Sequence, residues 1–187
     1  MATDPAPPVW LLDIDGVLNV LARGAPPDCW PADAWVQRTV RADVPDRGVM
    51  VLPILAARPV LDFVARVHET GAAEIRWHST WRAAAMTALA PALGLPAVPI
   101  SVAPEWAQTA AMWWKIPAAR RVAESGRRLV WTDDQLTLYR GDVLSEPDLT
   151  ALDRWAGALL LATDARVGLT PDDLRRIEEF LNLEVVP

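Results

Sequence analysis

Short apolar runs alternate along this chain with segments in which apolar residues recur every three or four positions. The runs predict buried strands at five places, residues 9–12, 74–78, 98–102, 128–132 and 158–162. The recurring positions predict amphipathic helices over about 59–71, 81–93, 115–126 and 171–181. Strands that alternate with helices are typical of a parallel sheet covered on both faces. We therefore expect an α/β fold, a three-layer αβα sandwich with a central parallel sheet.

An insertion separates the first predicted strand from the second. Within residues 20–56, a loop rich in Pro and Asp is followed by apolar positions on both sides of Asp46-Arg47-Gly48, which predicts a β-hairpin. This insertion is too short to form a second domain. We expect residues 1–187 to form one domain that carries a hairpin-sized flap.

Composition narrows the classes of function. The 187 residues have a net charge of −6 and a pI of about 4.9, which disfavours tight, non-specific binding to nucleic acid. The first residues lack the pattern of a secretory signal, and no apolar run is long enough to span a membrane. The lone Cys29 cannot form an internal disulfide. We expect a soluble, cytoplasmic protein that does not bind membranes.

Acidic, hydroxyl and ammonium groups follow the predicted strands or begin a predicted helix. Seven of them are candidates for one site: Asp13, Asp15, Ser79, Thr80, Lys115, Asp133 and Asp134. In open α/β sheets, ligands bind at the edge where the carboxyl ends of the strands meet, so we expect these groups to lie there together. Asp13 and Asp15 stand one residue apart and repel each other unless they share a proton or a cation.

The chemistry of this set favours phosphoryl transfer. Clustered carboxylates suit a hard cation such as Mg²⁺, and a carboxylate can itself attack phosphorus. A hydroxyl and a lysine can hold the oxygens of the transferring group. Two other interpretations compete. A calcium loop would need an acid twelve positions into the motif, where Gly24 stands, and a strand end can also carry two aspartates without function.

The order of the motifs resembles that of the haloacid-dehalogenase-like (HAD) phosphatases, which have a Rossmann-like fold. The segments similar to their four motifs are Asp13-Ile14-Asp15-Gly16-Val17, the strand ending at Ser79, Lys115, and Asp133-Asp134. Within that superfamily, Trp77 to Trp81 followed by Gly94-Leu95-Pro96 resembles the HAD domain of the Swiss-army-knife RNA repair proteins.

The resemblance implies a hydrolase that forms an aspartyl-phosphate. Asp13 would be the nucleophile and a Mg²⁺ ligand. Asp15 would protonate the leaving oxygen and later activate water, and its backbone carbonyl would contact the metal. Ser79 would hold a phosphoryl oxygen, and Lys115 would neutralise charge on Asp13 and the phosphoryl group.

The remaining candidates would complete the site. The resemblance implies that Asp133, Asp134 or both bind the metal and that Gly16, Thr80 and Trp81 contact the substrate. Strand length favours Ser79 over Thr80 as the phosphoryl-binding hydroxyl, but the choice stays open.

Loop lengths bear on the substrate. The flap is much smaller than the cap domain of many HAD enzymes, so we expect an open site that suits a phosphorylated nucleic-acid end or a nucleotide. Six tryptophans are candidates for stacking on bases, with ordinary packing as the alternative: Trp30, Trp35, Trp81, Trp106, Trp113 and Trp114. A small-metabolite phosphatase with the flap as lid, or a non-catalytic HAD-fold binding protein, are the other hypotheses.

Overall fold

A computed structural model describes residues 6–44, 48–101, 114–139 and 147–183. The strands are β1 (Val9–Leu12), β2 (Trp35–Val44), β3 (Gly48–Ala57), β4 (Glu74–Trp77), β5 (Leu129–Asp133) and β6 (Ala158–Ala162). The helices are α1 (Arg58–Thr70), α2 (Ala90–Leu93), α3 (Lys115–Glu124), α4 (Leu136–Tyr139), α5 (Pro147–Arg154) and α6 (Pro171–Leu181). None of these helices is long and apolar enough to cross a membrane.

The central sheet has four parallel strands in the order β4-β1-β5-β6. Alternate residues of β1 pack into two different apolar clusters, because successive side chains point to opposite faces of a strand. Trp10 joins Val64 of α1 and Ile177 of α6 on one face, and Leu11 joins Ile116 of α3 on the other. Helices thus cover both faces, and the predicted α/β class with a central parallel sheet is confirmed.

The flap is the antiparallel hairpin of β2 and β3, whose connecting residues 45–47 lie outside the described chain. Its strands are ten residues each, longer than the apolar pattern alone predicts. Val36, Val40 and Ile54 on one face are buried in the main core with Ala85 and Leu89. The flap is therefore fastened to the domain along one face.

The predicted strand at 98–102 is wrong over the described residues 98–101. Ile100 forms one isolated parallel bridge to Trp77, with backbone bonds from Trp77 N to Pro99 O and from Ser101 N to Trp77 O, both 2.8 Å. Pro96 and Pro99 have no N–H group to donate to a ladder, so the pairing does not extend. Val102 lies outside the described residues.

The helix predicted over 81–93 is only partly present. Arg82 has a φ of 49°, in the left-handed region that cannot continue a right-handed helix, and Trp81 lies in a turn. A π-helical stretch, Ala85–Leu89, then leads into α2. The wide turns lie just before Pro91, whose missing N–H and bulky ring disfavour regular bonding to the preceding turn.

The other predicted helices are confirmed as α1, α3 and α6. Helix α6 begins with a capping box, since Asp173 N donates to Thr170 Oγ1 at 3.2 Å and Thr170 N donates to Asp173 Oδ2 at 3.0 Å. The short helices α4 and α5 are additions that the apolar pattern did not predict.

Candidate functional site

Three strand ends meet at the carboxyl edge of the sheet. Asp13 follows β1 and its N–H donates to Thr132 O of β5 at 3.2 Å, while His78 N, just after β4, donates to Leu12 O at 2.8 Å. Asp13 and Asp133 therefore come from adjacent strands. Their side chains, at 6% and 0% exposure, are withdrawn from solvent.

Lys115, the only lysine in the chain, lies between these two acids. It is the first residue of α3 and is 1% exposed. Its Nζ donates to Asp13 Oδ2 at 2.6 Å and to Asp133 Oδ2 at 2.7 Å. A buried ammonium needs such partners, because the desolvation of an unpaired charge is strongly unfavourable.

Neutral donors hold the two carboxylates in place. Asp13 Oδ1 accepts from Ile14 N at 2.7 Å, and Asp133 Oδ1 accepts from Gln135 N at 2.9 Å. The indole N–H of Trp131 donates to Asp133 Oδ2 at 3.2 Å. Both acids are thus oriented by the backbone and core around them.

The site has carboxylate oxygens that could serve as ligands for a cation. Asp13, Asp133 and Asp134 each offer a carboxylate oxygen, and these oxygens all lie within 4.8 Å of one another. Lys115 compensates only one of the three negative charges. A divalent cation would compensate the other two, and carboxylate oxygens are ligands that Mg²⁺ accepts. The residues present therefore fit such an ion.

The charges in this cluster shift one another's pKa values. Burial and the nearby charge of Asp13 raise the pKa of Asp133, and the same two causes raise the pKa of Asp134 to about 6. Burial opposes the charge on Lys115, but Asp13 and Asp133 outweigh it and raise the pKa of this lysine. Without a cation, the three carboxylates share the positive charge of one lysine.

Gly16 provides the space that Asp134 occupies. Its φ is +76°, and a Cβ built on it would lie 2.7 Å from the Cβ and Cγ of Asp134. Real side chains do not tolerate such a separation, so only glycine allows this approach. The carbonyl of Gly16 accepts a hydrogen bond from Thr163 Oγ1 at 2.7 Å, which ties the turn to the end of β6.

Asp15 lies beside this cluster but has different partners. Asn19 Nδ2 donates to its Oδ1 at 2.7 Å, and the indole Nε1 of Trp81 donates to its Oδ2 at 2.9 Å. The carboxylate of Asp15 is not one of the three that could share an ion. It is a partly exposed acid held by two neutral donors.

The hydroxyl candidates differ in exposure. Ser79, two residues after β4, is 2% exposed, whereas the next residue, Thr80, is exposed. Trp81 is 3% exposed, so little of its ring is available to a ligand. Its indole N–H is directed to Asp15. Trp114 is also buried in the core, and Trp106 and Trp113 lie outside the described residues.

Three polar contacts of the site were missed from the sequence. Thr163 follows β6 at the same edge and could have been found by the strand-end rule used for the acids. Trp131 precedes Asp133 by two residues, a spacing that places both on one face of a strand. Nothing in the local pattern signals the contact of Asn19 with Asp15.

No protein-family model, curated protein or solved structure matches the chain.

Proposed function

We propose that this protein is a Mg²⁺-dependent phosphohydrolase of the HAD type, acting through an aspartyl-phosphate on Asp13. The contact of one buried lysine with two carboxylates, beside a third, is the observation that supports it most. Such a cluster suits a cation and an anionic phosphoryl group together. The segment Asp13-Ile14-Asp15-Gly16-Val17 resembles the first motif of the HAD phosphatases, and the roles proposed for Asp13 and Asp15 are taken from that resemblance.

The residues divide the reaction into two steps. In the first, a carboxylate oxygen of Asp13 bonds to phosphorus while the bond to the leaving oxygen breaks, and protonated Asp15 gives its proton to that oxygen. In the second, Asp15 takes a proton from water as the water oxygen attacks phosphorus, and Asp13 is released as a carboxylate. Phosphate and the dephosphorylated product leave, and Asp15 is protonated again.

Asp13, Asp133 and Asp134 would hold the ion. When bound, Mg²⁺ would supply positive charge to the phosphoryl oxygens. Lys115 offsets the negative charge on Asp13 as the phosphoryl group approaches, and the hydroxyl of Ser79 or Thr80 binds one of its oxygens.

The flap supports a phosphorylated nucleic-acid end or a nucleotide as the substrate. A cavity of about 730 Å³ lies between residues 19–22 and the flap, and its wall includes Asn19, the partner of Asp15. A neighbouring cavity of about 460 Å³ shares Gln37 and Arg38 with it and adds Trp35 and Arg58.

The charges along these cavities suit further phosphates. Within the described chain, the Arg38 guanidinium donates a hydrogen bond to the Gln37 carbonyl at 2.8 Å, and Arg58 has no ion pair. Both residues are exposed. The carboxylate of Asp33 lines the second cavity as well, so the net positive charge there is small. Guanidinium groups bind phosphate, and the half-buried Trp35, which packs against the main core, also lines the second cavity and is the aromatic candidate for a base.

The activity is tested with 4-nitrophenyl phosphate in Mg²⁺ and in EDTA. We expect phosphate release that needs Mg²⁺ and is lost in Asp13→Asn. Asp62→Asn, the same change at an exposed position on α1, is the matched control and retains activity. Equal turnover in EDTA, or full turnover by Asp13→Asn, would contradict the proposal.

The substrate class is tested separately. We expect a 3′-phosphorylated oligonucleotide to be hydrolysed with a higher kcat/KM than sugar phosphates, and Arg38→Gln to lower that preference without changing the aryl phosphate rate. Preferred hydrolysis of sugar phosphates by the wild type would instead support the small-metabolite phosphatase with the flap as its lid.

A further inference from the structure

Asn19 connects the acid Asp15 to the flap. Its side chain is buried, with Nδ2 donating to Asp15 Oδ1 at 2.7 Å and Oδ1 accepting from Leu55 N of β3 at 3.0 Å. Only this orientation of the amide pairs a donor with an acceptor at both ends. The side chain therefore bridges the loop after β1 and the flap.

The backbone holds Asn19 in this position. Its N–H donates to Ile14 O at 2.8 Å and its carbonyl accepts from Gly16 N at 2.8 Å. The next residue, Val20, donates its N–H to Leu55 O at 2.8 Å. Both polar backbone groups of Leu55 are thus directed to residues 19–20 and away from β2.

A second donor fixes the other oxygen of Asp15. Trp81 Nε1 donates to Oδ2 at 2.9 Å from a ring buried in the main core. That core also contains Ala84 and Ala85 and the flap residues Val36 and Val40. Each carboxylate oxygen of Asp15 accepts one N–H bond and keeps one lone pair for a proton.

We propose that Asn19 is a positioning residue that aims Asp15 at the leaving oxygen and links this aim to the placement of the flap. The inference rests on the proposed phosphohydrolase function. Proton transfer requires the acid within hydrogen-bond reach of the leaving oxygen. A shift of β3 relative to β1 would stretch the hydrogen bond of Asn19 to Leu55 or the one to Asp15. Keeping both bonds therefore requires the acid to follow the flap.

Leaving-group dependence distinguishes this role from a structural one. Expulsion of an alkoxide requires a proton from Asp15, whereas expulsion of 4-nitrophenolate does not. We compare kcat/KM for an alkyl phosphate and for 4-nitrophenyl phosphate, because kcat/KM excludes the later hydrolysis of the aspartyl-phosphate. For Asn19→Leu we expect a loss of roughly 100-fold on the alkyl phosphate, the order expected for a misplaced group, and little change on the aryl phosphate.

Leu55→Pro tests the link to the flap. It removes the N–H that binds Asn19 and leaves Asn19 itself intact, and β3 already holds a proline two residues earlier at Pro53. We expect the same selective loss on the alkyl phosphate, smaller than in Asn19→Leu. Thermal unfolding of both variants reports whether the fold is retained.

The outcomes are distinct. An equal loss of kcat/KM on both substrates in Asn19→Leu would mean that Asn19 has only a structural role. Unchanged kcat/KM on both would mean that Asn19 does not position Asp15. Either result overturns the inference while the phosphatase activity stands. If Leu55→Pro leaves the alkyl phosphate rate unchanged, the link to the flap is wrong. A wild-type protein inactive on both substrates would overturn the proposed function and this inference together.

Discussion

Replacing Lys115 by Met isolates the buried charge at the centre of the site. Met keeps most of the aliphatic volume of lysine and removes the ammonium group that contacts Asp13 at 2.6 Å and Asp133 at 2.7 Å. Because Lys115 and both acids are buried, neither water nor salt can replace it effectively. The variant leaves two neighbouring carboxylates without their shared partner.

The expected cost is large for one substitution. Removal of one partner from a buried ion pair destabilises a protein by about 3–5 kcal/mol. For a chain of this length, each kcal/mol lowers Tm by about 2–4 °C, so the expected fall is roughly 6–20 °C in EDTA. Saturating Mg²⁺ is expected to recover part of it, since a bound cation supplies positive charge to the same acids.

Urea unfolding in EDTA of the wild type, Lys115→Met, Asp133→Asn and the double variant measures this effect. Asp133→Asn removes one of the two carboxylates that Lys115→Met leaves unpaired. We therefore expect the double variant to lose less free energy of unfolding than the two single losses added together, by about 0.5–3 kcal/mol. Arg120→Met on the exposed side of α3 is the control and is expected to lie within about 0.5 kcal/mol of wild type. A Lys115→Met variant as stable as this control, with additive effects in the cycle, would refute the reasoning.

Two further predictions concern Asp134. Gly16→Ala places a Cβ 2.7 Å from this side chain, and we expect it to weaken Mg²⁺ binding, measured by calorimetry, by roughly 10-fold or more. Gly71→Ala controls for backbone strain, because Gly71 has a similar φ of +66° but open space around it; equal Mg²⁺ affinity in both variants would count against the packing argument. In EDTA, Asp134 has a pKa of about 6 in the folded state and 3.8 in the unfolded state, so its contribution to the free energy of unfolding falls as pH rises from about 4 to about 6. We expect Asp134→Asn to remove this component of the pH dependence in urea unfolding, and a pH slope unchanged by the substitution would contradict the assignment.

Local pattern was enough to predict most of the fold. Strand β1 is a continuous apolar run and β5 begins with one, because both faces of a parallel sheet are buried. Helix α6 carries its own start signal in Thr170 and Asp173. The errors arose where single residues override the pattern. Arg82 in the left-handed region delays one helix, and the prolines around Ile100 limit one strand to a single bridge.

Within the site, the sequence by itself determined which acids end at the same edge of the sheet, because strands that alternate with helices form a parallel sheet, whose strands all have their carboxyl ends at one edge. Only the tertiary structure decided which groups touch. Lys115 reaches an acid 102 residues away, and Asn19 reaches a backbone N–H 36 residues away. These contacts depend on how α3 and the flap pack on the sheet, and that placement is set by burial across the whole core, which no local spacing records.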